Sequence, residues 1–253
     1  MPRAESAAIL VFARNIDGDK YQDTGADVDR KISVAIDGPS GAGKSTIAKM
    51  TAKFFGYIYV DTGAIYRTVG LFVHRKGVSP TDEAGVQALL PQMTIEMRYD
   101  SAGVQRMILN GEDVSEEIRH PEISKYASDV SALPPVRAFL LDMQREMARV
   151  HNVVMDGRDI GTVVLPDAVV KIFLTASATE RAKRRHLELL AKGHNCSYDE
   201  VYSDMLQRDK NDAERAIAPL RPAEDSMILD TTDLGLEQSY EKATQMIKEI
   251  IRE

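Results

Sequence analysis

From position 31 onward, short apolar runs alternate with stretches in which apolar residues recur at helical spacing. Ile32, Val34, Ala35 and Ile36 form a β-prone run that ends at Asp37 in a glycine-rich turn, and a helical pattern follows. Tyr57 to Val60 reads as a second short strand. After Asp61 and Thr62, Ile65, Val69, Leu71 and Phe72 continue it into a helix. Met93 to Tyr99 and Gln105 to Leu109 flank Asp100, Ser101, Ala102 and Gly103, which predicts an antiparallel hairpin inserted into the series. Pro121 opens a helical stretch toward Ser131, and Pro134 and Pro135 open another through Leu140, Leu141 and Met147. Val153, Val154 and Met155 form a buried-strand run that stops at Asp156, Gly157, Arg158 and Asp159, and Val169 to Leu174 forms another. Ser177 is a suitable N-cap for a long helix, and Ser226 to Leu229 and Leu236 to Ile251 supply a last strand and helix. Strands and helices in alternation predict an α/β fold.

Residues 1 to 30 fit no such pattern: Ala7 to Ala13 is apolar, but a polar run from Asn15 to Arg30 follows without a clean cleavage signal. We read them as an extension outside the core. No apolar run approaches the ~18 residues a membrane span needs, so no membrane partner is expected. The 253 residues carry 32 Lys and Arg against 39 Asp and Glu, a net charge of −7, which disfavours an electrostatic grip on nucleic acid or anionic lipid. One cysteine, Cys196, excludes an internal disulfide and a multi-cysteine zinc site and fits a reducing cytoplasm. His74, His120, His151, His186 and His194 are scattered without ligand spacing and read as structural or surface residues.

Gly38, Pro39, Ser40, Gly41, Ala42, Gly43, Lys44 and Ser45 match GxxxxGK[ST] in full, followed by Thr46, between an apolar strand and an amphipathic helix. In such a loop the glycines let several backbone N–H groups face phosphate, the helix adds its positive end, the lysine reaches the outer phosphates, and the serine hydroxyl serves magnesium. ATP and Mg2+ are the implied cofactors. An ATPase would carry an acidic residue directly after the strand aspartate, yet Gly157 follows Asp156; an Asn-Lys-x-Asp tetrad for guanine is also missing.

Acid and arginine pairs fall at strand ends and helix starts: Asp61 with Arg67, Arg158 with Asp159, and Arg208, Asp209, Asp212 and Arg215. Open α/β sheets bind ligands at the carboxyl ends of their strands, and guanidinium groups grip phosphate oxygens bidentately. Surface ion pairs worth about 0–1 kcal/mol would explain each pair singly. The basic face of Arg181, Lys183, Arg184 and Arg185 is either a solvated helix face or a lid over ATP.

Taken together, the segments IDGPSGAGKST from Ile36, DTGAIYR from Asp61, LNGEDVSEEIR from Leu109, DGRDIGTVVLPDAVVKIFL from Asp156 and RDxxDxxRxxAPL from Arg208 resemble the bacterial cytidylate kinases, of the nucleoside monophosphate kinase group. The resemblance runs from about Lys31 to the end of the chain. It implies a three-layer P-loop fold with a parallel sheet and flanking helices, a monophosphate-binding insert near 91–150, and a short helical lid near 181–215, all in one kinase domain over 31–253. It also implies transfer of the γ-phosphoryl group of ATP to CMP or dCMP by a cytoplasmic monomer.

By position, the resemblance assigns Arg67, Arg158 and Arg215 to the acceptor phosphate and Ser128, Arg137 and Asp159 to cytosine. Thr62, Tyr66 and Gly157 would line the acceptor site, and Arg208 and Asp212 would contact the sugar. Lys44, Arg158 and Arg215 would stabilise the transferring oxygens, with Arg184 or Arg185 closing from the lid. Asp159 makes sense for cytosine, because its carboxylate accepts from an exocyclic amino group where uracil presents an acceptor oxygen. Two positions depart from the family: Thr62 replaces a frequent serine and keeps the hydroxyl, and Asn211 stands where relatives carry arginine. A related small-molecule kinase on the same core and a non-catalytic nucleotide sensor are the rival readings.

Overall fold

The computed structural model describes residues 31–191 and 193–252; the extension read at residues 1–30 lies outside the described residues. In chain order the elements are β1 (Ser33–Asp37), α1 (Lys44–Phe55), β2 (Ile58–Asp61), α2 (Thr62–Arg75), α3 (Glu83–Leu89), β3 (Ile95–Tyr99), β4 (Gln105–Leu109), β5 (Glu112–Asp113), α4 (Pro121–Val130), α5 (Pro134–Val150), β6 (Val153–Gly157), β7 (Val170–Thr175), α6 (Ala178–Ala191), α7 (Tyr198–Glu214), β8 (Met227–Asp230) and α8 (Leu236–Ile251). A π-helical turn, Ile160–Val164, follows β6. The chain divides into two compact units, one of them Asp61–Met147 and the other Lys31–Val60 together with the chain from Ala148 onward. The stretch read from sequence as an insert therefore shares a unit with α2 and α3.

The second unit holds a five-stranded sheet in the order β2-β6-β1-β7-β8. β1 runs parallel to β6 and β7, and β7 runs parallel to β8. The innermost strands are apolar on both faces, as a parallel sheet covered on both sides requires: Val34, Ala35, Ile36, Val153, Val154 and Met155 are fully buried. Ile47 and Ala48 of α1 and Ala243 and Ile247 of α8 pack with Val34, Ile36, Val154 and Ile172 in one core. Because β6 and β7 lie on opposite sides of β1, the order reverses there, and the strand ends beside β1 form the crevice in which open α/β sheets bind ligands.

α6 begins where Ser177 Oγ accepts the Glu180 N–H at 3.2 Å, the cap expected from sequence. The basic and acidic stretch after it folds back as α7, whose start is a reciprocal capping box: Ser197 Oγ accepts the Glu200 N–H at 3.2 Å while Glu200 Oε2 accepts the Ser197 N–H at 2.8 Å.

In the unit Asp61–Met147, β3, β4 and β5 make an antiparallel sheet, with Ile95 opposite Leu109 and Met97 opposite Met107. The hairpin lies where the sequence predicts it, and Asp100 Oδ1 holds its turn by accepting from Ala102 N and Val104 N at 3.0 and 2.9 Å. α2 packs across α4 at Gly70: a Cβ there would stand 2.8 Å from the Ala127 nitrogen, so only glycine lets the two backbones approach. Asp61 caps α2 by accepting the Ala64 N–H at 2.8 Å.

Candidate active site

The phosphate loop leaves β1 through Gly38, whose φ of 148° and contact geometry both demand glycine; a Cβ would lie 1.9 Å from the Leu174 carbonyl oxygen of β7. The loop through Pro39, Ser40, Gly41, Ala42 and Gly43 then delivers Lys44, Ser45 and Thr46 as the first residues of α1. Gly43, Ser45 and Thr46 are exposed, whereas Lys44 is buried, its Nζ donating to the Pro39 carbonyl at 2.7 Å. Burial, followed by the Arg158 charge, holds the Lys44 ammonium below its ordinary pKa, against the opposing pull of Asp156 and Asp37.

Ser45 Oγ donates to Asp156 Oδ2 at 2.8 Å, and Tyr59 OH donates to Asp156 Oδ1 at 2.8 Å. The end of β6, the start of α1 and β2 thus meet on one buried carboxylate. A hydroxyl beside a carboxylate is a hard-oxygen donor set, and Mg2+ is commonly held by one or two carboxylates with waters and substrate phosphates. The residues present fit that ion. Among the described residues no group of three or more His, Cys, Asp and Glu side chains forms a dedicated metal cage.

Beyond Asp156 the chain turns through Gly157 and Arg158 to Asp159. Arg158 Nε donates to Asp212 Oδ2 at 2.9 Å, and Arg215 Nη2 donates to Asp159 Oδ1 at 3.2 Å. Both side chains of the second pair are almost wholly buried, at 7% and 6% exposure. Burial alone would raise the Asp212 pKa, but the Arg158, Arg208 and Arg215 charges outweigh it and leave the carboxyl below its ordinary value. Asp212, Arg208 and Arg215 share the last turns of α7 and its C-cap. Arg215 Nε also donates to the carbonyl of Ala218, which sits in left-handed backbone at φ 50°. Asn211 Oδ1 accepts from Gln207 on the same helix at 2.8 Å.

The basic face of α6 divides. Arg181 is the guanidinium that meets the phosphate loop, its Nη1 donating to the Ser40 carbonyl at 2.9 Å, its Nε to the Ala176 carbonyl at 2.9 Å and its Nη2 pairing with Asp209 at 2.6 Å. Arg184 is held by Glu180 at 3.1 Å and by the Thr231 carbonyl at 2.7 Å, and Arg185 by Glu188 at 2.9 Å. The sequence reading assigned no individual role to Asp37 or Asp156, and it took in Arg181 and Asp209 only as members of a basic helix face and of a set of acid and arginine pairs. Position was the available signal for the first two: each acid ends an apolar run just before a glycine, Gly38 or Gly157. Nothing local separates Arg181 from Arg184.

In the other unit, Asp61 Oδ2 pairs with Arg67 Nη2 at 3.1 Å, and Arg67 Nε is buried with no hydrogen-bond partner among the described residues. Thr62 is buried at the start of α2. The Arg137 guanidinium lies 5.8 Å from the Tyr66 ring centroid and donates to the Ser131 carbonyl at 3.3 Å. Ser131 Oγ donates in turn to the Ser128 carbonyl at 2.7 Å. Thr62, Tyr66, Arg67, Ser128 and Arg137 thus lie on α2, α4 and α5. Among the described residues no helix is long and apolar enough to cross a membrane.

The sequence model of the cytidylate kinase family matches residues 34–249. A cytidylate kinase of Caldicellulosiruptor bescii is 49% identical over 223 residues, covering 88% of this chain and 98% of that protein. A cytidylate kinase of Carboxydothermus hydrogenoformans is 50% identical over 216 residues, covering 85% of this chain and 97% of its own. Among solved structures, an uncharacterized protein from Eubacterium ventriosum superposes with a TM-score of 0.50 at 15% identity, over 88% of this chain and 100% of that one, and supports the fold alone.

Proposed function

The chain belongs to the cytidylate kinase family, and from that premise we propose how its residues carry the reaction. The protein transfers the γ-phosphoryl group of ATP to CMP or dCMP, giving CDP or dCDP and ADP. An oxygen of the acceptor phosphate forms the new P–O bond as the bond between the γ-phosphorus and the β–γ bridging oxygen breaks. A phosphate monoester has its second pKa near 6, so the acceptor is largely a dianion at neutral pH and needs no strong general base. Positioning and charge neutralisation remain the protein's task.

In this reading the loop 38–46 holds the ATP phosphates and Lys44 lies against the outer ones. Ser45 and Asp156 hold Mg2+, which screens the phosphate charges when bound. Arg158 and Arg215, with Arg67, take the acceptor phosphate; Asp159, with Ser128 and Arg137, reads cytosine. Thr62, Tyr66 and Gly157 line the acceptor site, and Arg208 and Asp212 reach the sugar. To act on the transferring oxygens, Arg184 would leave Glu180 and Thr231, and Arg185 would leave Glu188. The two units serve as one kinase domain, which works as a cytoplasmic monomer.

The observation that carries most weight is electrostatic. Lys44 of the phosphate loop is buried, and the charge of Arg158, itself paired with Asp212, adds to burial in lowering the proton affinity of the Lys44 ammonium. Such a concentration of cations in an acidic protein suits two phosphorylated substrates. The test is the initial rate of ADP formation with MgATP and, separately, CMP, dCMP, UMP and AMP. Turnover should favour CMP and dCMP, disappear in Lys44→Ala and lose its base preference in Asp159→Ala. ATP binding without turnover on any acceptor would overturn the reading.

A further inference from the structure

Asp37 ends β1 and directly precedes Gly38, yet its carboxylate turns toward β6. Oδ1 accepts the Ile160 N–H at 2.8 Å and Oδ2 accepts the Gly161 N–H at 2.7 Å. The group is buried, at 5% exposure, whereas most other Asp among the described residues face water. Its two donors are the first N–H groups of the π turn Ile160–Val164, the groups a helical turn normally leaves for its own N-cap residue to satisfy.

That N-cap residue is Asp159, a favoured capping type, and its side chain makes no capping hydrogen bond. Its carbonyl alone enters the turn, accepting from Val163 N and Val164 N at 2.9 and 3.1 Å. The carboxylate reaches Arg215 instead. Asp37 Oδ2 also lies in ordinary contact range of Gly161, where a Cβ would stand 3.5 Å from it and 3.2 Å from the Lys171 side chain. Lys171 is itself anchored, its Nζ donating to Asp225 Oδ2 at 2.7 Å.

We propose that Asp37 is a positioning residue for base selection: by capping the 160–164 turn from the neighbouring strand, it releases the Asp159 carboxylate to face the acceptor nucleotide. The assignment rests on the reading of Asp159 as the cytosine contact. Without Asp37, the Gly161 N–H, the second of the turn, would be open to the Asp159 carboxylate, which would rotate onto its own turn as an ordinary N-cap. The Asp37 carboxyl is pushed up to about 6 by burial and held down by the two N–H groups, as a carboxylate bound to this turn should be.

The test compares Asp37→Asn, which keeps one acceptor oxygen and turns an amide donor toward the second N–H, with the unaltered full chain. We expect kcat/KM for CMP to fall at least 10-fold and the CMP-to-UMP preference at least 5-fold, while MgATP affinity changes less than 2-fold. In an Asp159→Ala background, Asp37→Asn should then remove no further preference. A preference kept intact, or lost equally in both backgrounds, overturns the proposal, because a merely structural role would lower all rates without touching base choice.

Amide hydrogen exchange on the unaltered chain decides the same point should the variant fail to fold. Ile160 and Gly161 should exchange at least 100-fold more slowly than unstructured amides, and exchange at the unstructured rate overturns the clamp. If the unaltered chain turned over no cytidine monophosphate, the reading of function would fail, while the exchange result would still stand for or against the clamp.

Discussion

Tyr59→Phe isolates one hydrogen bond at the centre of the phosphate site. The Tyr59 hydroxyl donates to Asp156 Oδ1 at 2.8 Å inside the protein, and Ser45 holds the other oxygen at 2.8 Å. Phenylalanine keeps the ring, its place in the apolar core and the Lys49 ammonium 5.4 Å from the ring centroid, so the change removes one oxygen and opens almost no cavity. A hydrogen bond to a charged group contributes ~1.5–3 kcal/mol, and we take about 2 kcal/mol. For a chain of this size each kcal/mol moves Tm by about 2–4 °C, so unfolding followed by circular dichroism at pH 7 should come about 4–8 °C earlier. On the proposed reading that Ser45 and Asp156 would hold Mg2+, the extra stabilisation that MgATP gives through mass action should shrink. The stabilisation by ATP in excess chelator should not. A Tm within 1 °C of the unaltered protein, or equal losses with and without Mg2+, would refute the view of Asp156 as a carboxylate oriented by these two hydroxyls.

Gly38→Ala should fail to accumulate as folded protein or lose at least 10 °C of Tm, since its Cβ overlaps the backbone oxygen of Leu174 at 1.9 Å, which no rotamer can vacate; normal melting would show that β1 and β7 part there. Arg181→Ala should lower both Tm and MgATP affinity, because three bonds tie that guanidinium to Ala176, Ser40 and Asp209. Arg184→Ala and Arg185→Ala should lower kcat and leave Tm within about 2 °C per kcal/mol of the weak, part-exposed pairs they break; the opposite division, measured by steady-state rates and melting, would reverse the roles. Stability should also depend on pH with two opposed signs. Asp37, raised from 3.8 to about 6, binds its proton more readily when folded, so its contribution falls as pH rises from about 4 to 6, by about 3 kcal/mol in all. Asp212, whose folded pKa is lowered, contributes stability above pH 4 that is lost as pH falls through the folded value. Urea titrations between pH 3 and 7 should flatten between pH 4 and 6 in Asp37→Asn and lose the acid limb in Asp212→Asn; unchanged profiles would contradict the two assignments.

The strands were legible because a parallel sheet covered on both faces writes itself as unbroken apolar runs, and β1, β6 and β7 are such runs. α3 escaped because its seven residues include a glycine and bury only Val86 and Leu89, too few to show a period. β5 is two exposed residues defined solely by its partner strand. α7 buries only Val201, Met205 and Asp212 among 17 residues, so its polar surface hid the helix, although Ser197 and Glu200 had the spacing of a capping box. At the site, the glycine-rich loop was readable because its chemistry is local: one turn, one lysine and one hydroxyl in succession. The Asp37 clamp, the Arg181 tether and the hydroxyl pair on Asp156 each join segments at least 97 residues apart. No spacing rule encodes them.

One arrangement recurs at the arginines assigned to phosphate. Arg158 rests on Asp212, Arg215 on Asp159 and Arg67 on Asp61, so none of these guanidinium groups meets its ligand as a bare buried charge. Burying a lone cation costs several kcal/mol, and pairing offsets that in the folded chain. Phosphate binding is then an exchange or a sharing of partners, and its net strength is the small difference between a phosphate and a carboxylate in the same guanidinium fork. A dianion with three oxygens can bridge two such forks at once where each carboxylate serves one, which favours an acceptor phosphate over a carboxylate or a single chloride. The same pairing lets an acidic chain keep Arg158 and Arg215 together, each matched by an aspartate. It follows that removing a partner acid, as in Asp212→Asn, should tighten simple anions while loosening the orientation that transfer needs. Raised sulfate inhibition together with reduced kcat in that variant would carry both halves of this inference, and unaltered sulfate inhibition would exclude the exchange.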